Sequence, residues 1–171
     1  MLLGFVGVIF VFIFEKWSLK KIGIRIDNLK ASLPSYLLVT LCCFSAIVIA
    51  SKLLQKEPMA NWQIHSFFQY IFFLSALVQE VGFRSFFLTK LLEIFQSPLL
   101  AILFHAIVFG VSHLIFPYPF ILFLATTGLG IVYGLLYYYR PNLILITLSH
   151  AVLTFSIGYY QIIWVSDFMD I

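Results

Sequence analysis

Apolar residues along this chain fall into long runs, separated by short polar interruptions. The runs lie at about 2–14, 33–54, 65–95, 98–116, 119–139 and 142–164. A helix needs roughly 20 apolar residues to cross a hydrocarbon core of about 30 Å. The first run is short for that task and the others suit it. The pattern therefore predicts an all-α fold, a polytopic transmembrane helical bundle of about six spans.

The interruptions set an orientation. Between the first two runs lies "EKWSLKKIGIRIDNLKAS", where Lys16, Lys20, Lys21, Arg25 and Lys30 outnumber Glu15 and Asp27. The positive-inside rule places this loop in the cytoplasm. Its alternation of charge with Trp17, Ile22, Ile24 and Ile26 predicts a segment lying at the interface. Alternation then puts Lys52, Lys56 and Glu57 outside, the Lys90 to Ser97 corner inside, the Phe116 to Pro119 turn outside and the Arg140–Pro141 turn inside. Both termini are predicted outside, and the acidic tail "SDFMDI" is compatible with that placement. The opening "MLLGFVGVIFVFIF" lacks a basic n-region and an A-x-A-like site, so it reads as a short first span rather than a signal peptide. The organisation expected is N-terminal spans with the interfacial loop (1–64), a core (65–164) and a short tail (165–171).

Composition narrows the class. Of 171 residues, 63% are hydrophobic and 10% charged, and the mean hydropathy is +1.07. A soluble domain of this size carries far more charge. The net charge of +3 sits near span ends and bears on topology, and no basic, aromatic-interleaved patch points to nucleic acid. Cys42 and Cys43 are neighbours in one apolar run and cannot form an ordinary disulfide with each other.

Against this background the ionisable residues inside the runs stand out, because each costs roughly 2.5–3.5 kcal/mol at a helix centre. Glu80 and Arg84, in "ALVQEVGFRSFF", are spaced i, i+4 and can pair inside the span. That pair is either a structural clamp or part of a working site. His113 follows Phe109 by four residues, so the ring can wall its imidazole from lipid, and Gly110 and Ser112 allow a neighbouring helix to approach. His150 has Thr154 one turn later on the same face, and His105 is a further polar position. At 1.5 Å per residue, Glu80, His113 and His150 fall at similar depths on three helices. One carboxylate and two imidazoles are thus expected to converge near mid-bilayer.

These residues carry a family pattern. "QEVGFR" (79–84), "FGVSH" (109–113) and "HAVLT" (150–154) resemble the EExxxR, FxxxH and Hxxx(N/D) signatures of the CPBP intramembrane proteases, which include type II CAAX prenyl proteases and bacteriocin-processing and lysostaphin-resistance-like proteins. The resemblance covers roughly residues 65–160. It implies an endopeptidase acting on a peptide or membrane-protein substrate within the lipid bilayer, by water activated on glutamate and histidine. By position it makes His113 a water-activating partner and His150 an oxyanion-side residue, with Phe109 supporting and Glu80–Arg84 as the ion pair.

Two positions depart from the pattern. Gln79 stands where the first glutamate belongs, and an amide can orient a water but cannot take its proton. Thr154 replaces Asn or Asp, keeping one hydroxyl donor for an oxyanion. The expectation is that Glu80 and His113 activate the water, His150 and Thr154 assist, and no cofactor is needed. The alternative is zinc held by Glu80, His113 and His150 with an open fourth position; Arg84 beside the only carboxylate argues against it. A non-catalytic membrane scaffold is the competing function class, favoured by Gln79. A proton path through the same residues is a third, without the inverted repeat that would support it.

Overall fold

The computed structural model describes residues 2–116 and 118–162. The acidic tail and the last two residues of the predicted final span lie outside the described residues. Among the described residues there are seven helices and no strand: α1 Leu2–Phe14, a short α2 Leu19–Ile22, α3 Leu29–Leu53, α4 Phe67–Ile94, α5 Pro98–Val111, α6 Pro119–Tyr139 and α7 Leu143–Tyr159. By length and apolarity, α3, α4 and α6 can each cross a membrane; Gly4–Phe14, α5 and α7 are apolar but shorter. The six predicted runs correspond to these six helices. The fold is a helical membrane bundle.

Local chemistry sets the boundaries. Ser97 precedes Pro98 and its hydroxyl accepts from Leu100 N–H; proline is welcome in the first turn, where its missing N–H would be unbonded anyway. Asn142 starts α7 in the same way, its Oδ1 accepting from Leu145 N–H at 3.0 Å. The α5 helix stops at Val111, short of the predicted 116. Ser112 and His113 instead bend their side chains back to the Phe109 carbonyl, at 2.7 and 2.8 Å, and such side-chain bonds compete with helix continuation. Conversely, α3 starts at Leu29 rather than 33, and Ser32 in its first turns is fully buried.

The arrangement is polar inside and apolar outside. Leu37, Leu38 and Leu41 on α3, and Phe120, Ile121 and Leu124 on α6, are exposed, while Glu80, Arg84, His105, Asn142 and Ser149 are buried. Such apolar surface would be a liability in water, and in a bilayer it is the required solvent-facing side. The chain is an integral membrane protein.

Ion pairs and hydrogen bonds fix which ends lie together. Lys90 contacts Glu15 at 2.6 Å and Lys21 contacts Glu93 at 2.8 Å, joining the 15–30 loop to the end of α4. Asn142 Nδ2 donates to Arg25 O and Asn28 Oδ1, and Leu143 N–H to Gly23 O, joining the same loop to the α6–α7 turn. The three basic interruptions therefore share one end of the bundle, as helix alternation requires. At the other end, Met59 N–H bonds to Tyr159 O. The 15–30 loop is consequently a strap tucked into the bundle as well as an interfacial segment. Ile22 O accepts from both Ser85 and Tyr137. Gly23 has φ +93°, and a Cβ there would stand on the Tyr137 hydroxyl.

Candidate functional site

The site begins in α4, whose middle stretch, Val81–Leu88, is π-helical. Widened turns of this kind recur at functional sites. Glu80 enters that stretch and Arg84 sits within it, both at zero exposure. Arg84 Nη1 lies 3.1 Å from Glu80 Oε1, and the same oxygen receives His150 Nδ1 at 2.6 Å from α7. The Nη1 contact is ionic, not a directed hydrogen bond, and Glu80 Oε2 has no partner among the described residues. Arg84 and His150 thus converge on a single oxygen of Glu80. The His150 ring is held through Nδ1, and its Nε2 forms no hydrogen bond with a described residue.

Phe109 is the hub. Its ring lies 4.0 Å beneath the Arg84 guanidinium carbon, 4.8 Å from the His113 ring and 6.2 Å from that of His150. Tyr133 on α6 stands 5.5 Å from Arg84 and 6.2 Å from His150. Aromatic faces stabilise a desolvated cation by about 2 kcal/mol, which helps explain how a fully buried guanidinium is tolerated.

Of the residues picked from the sequence, Glu80, Arg84 and His150 are in direct contact, and Phe109 joins them. His113 arrives through Phe109, not through Glu80. It lies just past the end of α5, and its Nδ1 bonds to Phe109 O, while its Nε2 forms no hydrogen bond with a described residue. The imidazole that bonds directly to Glu80 is that of His150, and the hydrogen bonds of Glu80 do not reach His113. Gln79 faces elsewhere: adjacent helical residues point about 100° apart, and its side chain lines an apolar groove of about 290 Å³ with Gly4, Phe5 and Val8 of α1 and Phe83 of α4. It forms no hydrogen bond with a described residue. Thr154 lies one turn beyond His150, half-buried. Gly110 does admit a neighbour, since a Cβ there would collide with Thr127 of α6. Ser112 instead bonds within its own turn.

Among the described residues, no three His, Cys, Asp or Glu side chains are grouped as metal donors.

The chain matches the model of the type II CAAX prenyl endopeptidase Rce1-like family over residues 61–156. That span exceeds half the chain and holds all three motif segments. The chain belongs to the Rce1-like family. No curated protein and no solved structure matches it. The Rce1-like family is one of endopeptidases, so the buried carboxylate and imidazoles sit within the matched region of a peptidase-type chain.

Sequence reasoning missed two contributors to this cluster in the Rce1-like chain, Tyr133 and Ser149, and noted a third, His105, only as a further polar position. His105 is fully buried, its ring parallel to that of Phe109 and both nitrogens without a partner among the described residues; its four-residue spacing before Phe109 was the available signal. Tyr133 and Ser149 are buried and bonded to each other at 2.7 Å. A tyrosine in an apolar helix gives no sequence signal that distinguishes it from lipid-facing aromatics.

Proposed function

We propose that the chain is an intramembrane endopeptidase that hydrolyses a peptide bond of a peptide or membrane-protein substrate, with the basic end of the bundle in the cytoplasm. The observation that carries this reading is the Glu80–His150 bond, a buried carboxylate orienting an imidazole. His150 and His113 both have Nδ1 committed, to Glu80 and to Phe109 O. A water donating one hydrogen to each Nε2 keeps its lone pairs for the substrate carbonyl.

As water attacks, His150 Nε2 takes the proton and the C–O bond forms. Glu80 stabilises the resulting imidazolium, and Arg84 pairs with the same carboxylate oxygen. The Thr154 hydroxyl donates to the oxyanion. When the intermediate collapses, the C–N bond breaks and the imidazolium returns its proton to the leaving amine. The residue charged with base chemistry is thus His150, where the sequence suggested Glu80 with His113.

The test is cleavage of a panel of membrane peptides, with and without lipidated tails, by purified protein in lipid nanodiscs. Wild type should cleave at least one, with His150→Ala and Glu80→Ala reduced by about 10²-fold or more. Full activity in either variant would sink the assignment. Metal analysis of the same preparation should find no stoichiometric zinc.

Gln79 favours a second reading, a scaffold that keeps the fold and regulates a partner. The variant Gln79→Glu separates the two. A large gain in cleavage marks an impaired peptidase, whereas no cleavage by either form favours the scaffold.

A further inference from the structure

Three hydroxyls run from the site to α3, a helix that lies outside the family match. Tyr133 Oη is 2.7 Å from Ser149 Oγ, Ser149 Oγ is 2.5 Å from Thr40 Oγ1, and Thr40 Oγ1 is 2.7 Å from Tyr36 O. The last acceptor is a carbonyl, which cannot donate, so the single hydrogen of Thr40 must point to it. Ser149 must then donate to Thr40, and Tyr133 to Ser149. Every hydroxyl in the chain is oriented the same way, and such chains strengthen cooperatively.

The near end of this chain touches the proposed machinery. The Tyr133 ring stands 5.5 Å from Arg84 and 6.2 Å from His150, and Ser149 immediately precedes His150 on α7. Tyr133 is fully buried and Ser149 nearly so. The phenol hydrogen is committed to Ser149, which leaves little freedom for ring rotation and fixes the aromatic face against the cation.

We propose that Tyr133, Ser149 and Thr40 form a positioning relay, through which α3 sets the orientation of the His150 imidazole on Glu80. This rests on the peptidase reading for its catalytic consequence, but the geometric claim stands apart from it. Thr40 acts only through Ser149, so it is a positioning residue and touches no reacting atom.

The test uses full-length protein in nanodiscs with ¹⁵N-labelled histidine. The Nδ1–H proton of His150, held at 2.6 Å from a carboxylate, should resonate far downfield. Thr40→Val and Tyr133→Phe should each shift or broaden that signal, while Thr40→Ser, which restores the hydroxyl, should preserve it. The Thr40→Val/Tyr133→Phe double variant should match the single ones instead of adding to them. If wild type cleaves a substrate, the same variants should lower kcat about three- to tenfold with KM unchanged.

A His150 signal indifferent to both substitutions in folded protein would overturn the relay, even where cleavage is intact. If wild type cleaves nothing, the spectroscopic arm still decides the relay, and only the peptidase reading falls. Should Thr40→Val not fold, Tyr133→Phe, which removes one oxygen and keeps the ring, carries the test.

Discussion

At the scale of single residues, the question is why a buried acid and base were kept in an apolar helix. A structural clamp and a working site make different predictions. Removing Glu80 alone leaves Arg84 as an uncompensated buried cation, a loss of about 3–5 kcal/mol. Replacing both, as in Glu80→Leu with Arg84→Met, should recover most of that stability, because well-packed apolar pairs often match buried ion pairs. Denaturation in detergent should therefore rank wild type near the double variant and well above Glu80→Leu. Cleavage should be lost in both variants. Recovery of cleavage along with stability would make the pair a clamp. The sequence made this pair legible by its i, i+4 spacing and its depth. It did not make the direction of Gln79 stand out, although one residue is about 100° of helix, because a motif written as letters hides which letters share a face. Nor could it show that His113 leaves α5, since that turn depends on two side chains choosing the Phe109 carbonyl.

Elements succeed here through small residues and caps. The α5 and α6 helices pack along Gly110, Ala106 and Gly130, with the Gly130 Cβ position only 3.0 Å from Ala106 Cα. In lipid there is no hydrophobic drive between helices, so close backbone approach supplies the packing. Gly110→Val should push α6 off α5 and carry Tyr133 away from Arg84, with a cost of about 1–3 kcal/mol from overpacking. Thermal melting and the His150 proton signal should both report it. At the start of α7, Asn142 is fully buried and serves as cap, donor to Arg25 O and donor to Asn28 Oδ1 at once. Asn142→Ala should cost about 1–2 kcal/mol for the cap alone and more for the orphaned partners. The helices themselves were legible from run length, because a bilayer demands it. The caps and close approaches were not, since they are set by partners distant in sequence.

For the whole molecule, the strap between α1 and α3 decides whether the basic end holds together. It is bonded to the α6–α7 turn through backbone and asparagine contacts, and to the end of α4 through the ion pairs Glu15–Lys90 and Lys21–Glu93. Its charge suggested only an interfacial segment, because pairing across 75 residues is a tertiary fact. Bonds from Lys90 and the Trp17 indole to Glu15 hold that carboxyl below the ordinary glutamate value. A depressed folded value means that the stabilisation is present above the unfolded value, about 4.3, and is lost as pH falls through the folded one. Acidification from pH 7 should therefore leave the strap intact to about pH 5 and loosen it below about 4. The pairs are exposed enough for salt to screen them, so the step should shrink at high ionic strength. Hydrogen exchange at residues 15–28 should rise across that range, and Glu15→Gln should remove the part of the rise that this carboxyl causes. The Asn142 and Gly23 contacts do not titrate, so the α6–α7 turn should stay protected while the α4 end opens. Equal loosening of both would show that the strap moves as one piece, with the ion pairs as its anchor and the asparagine contacts following.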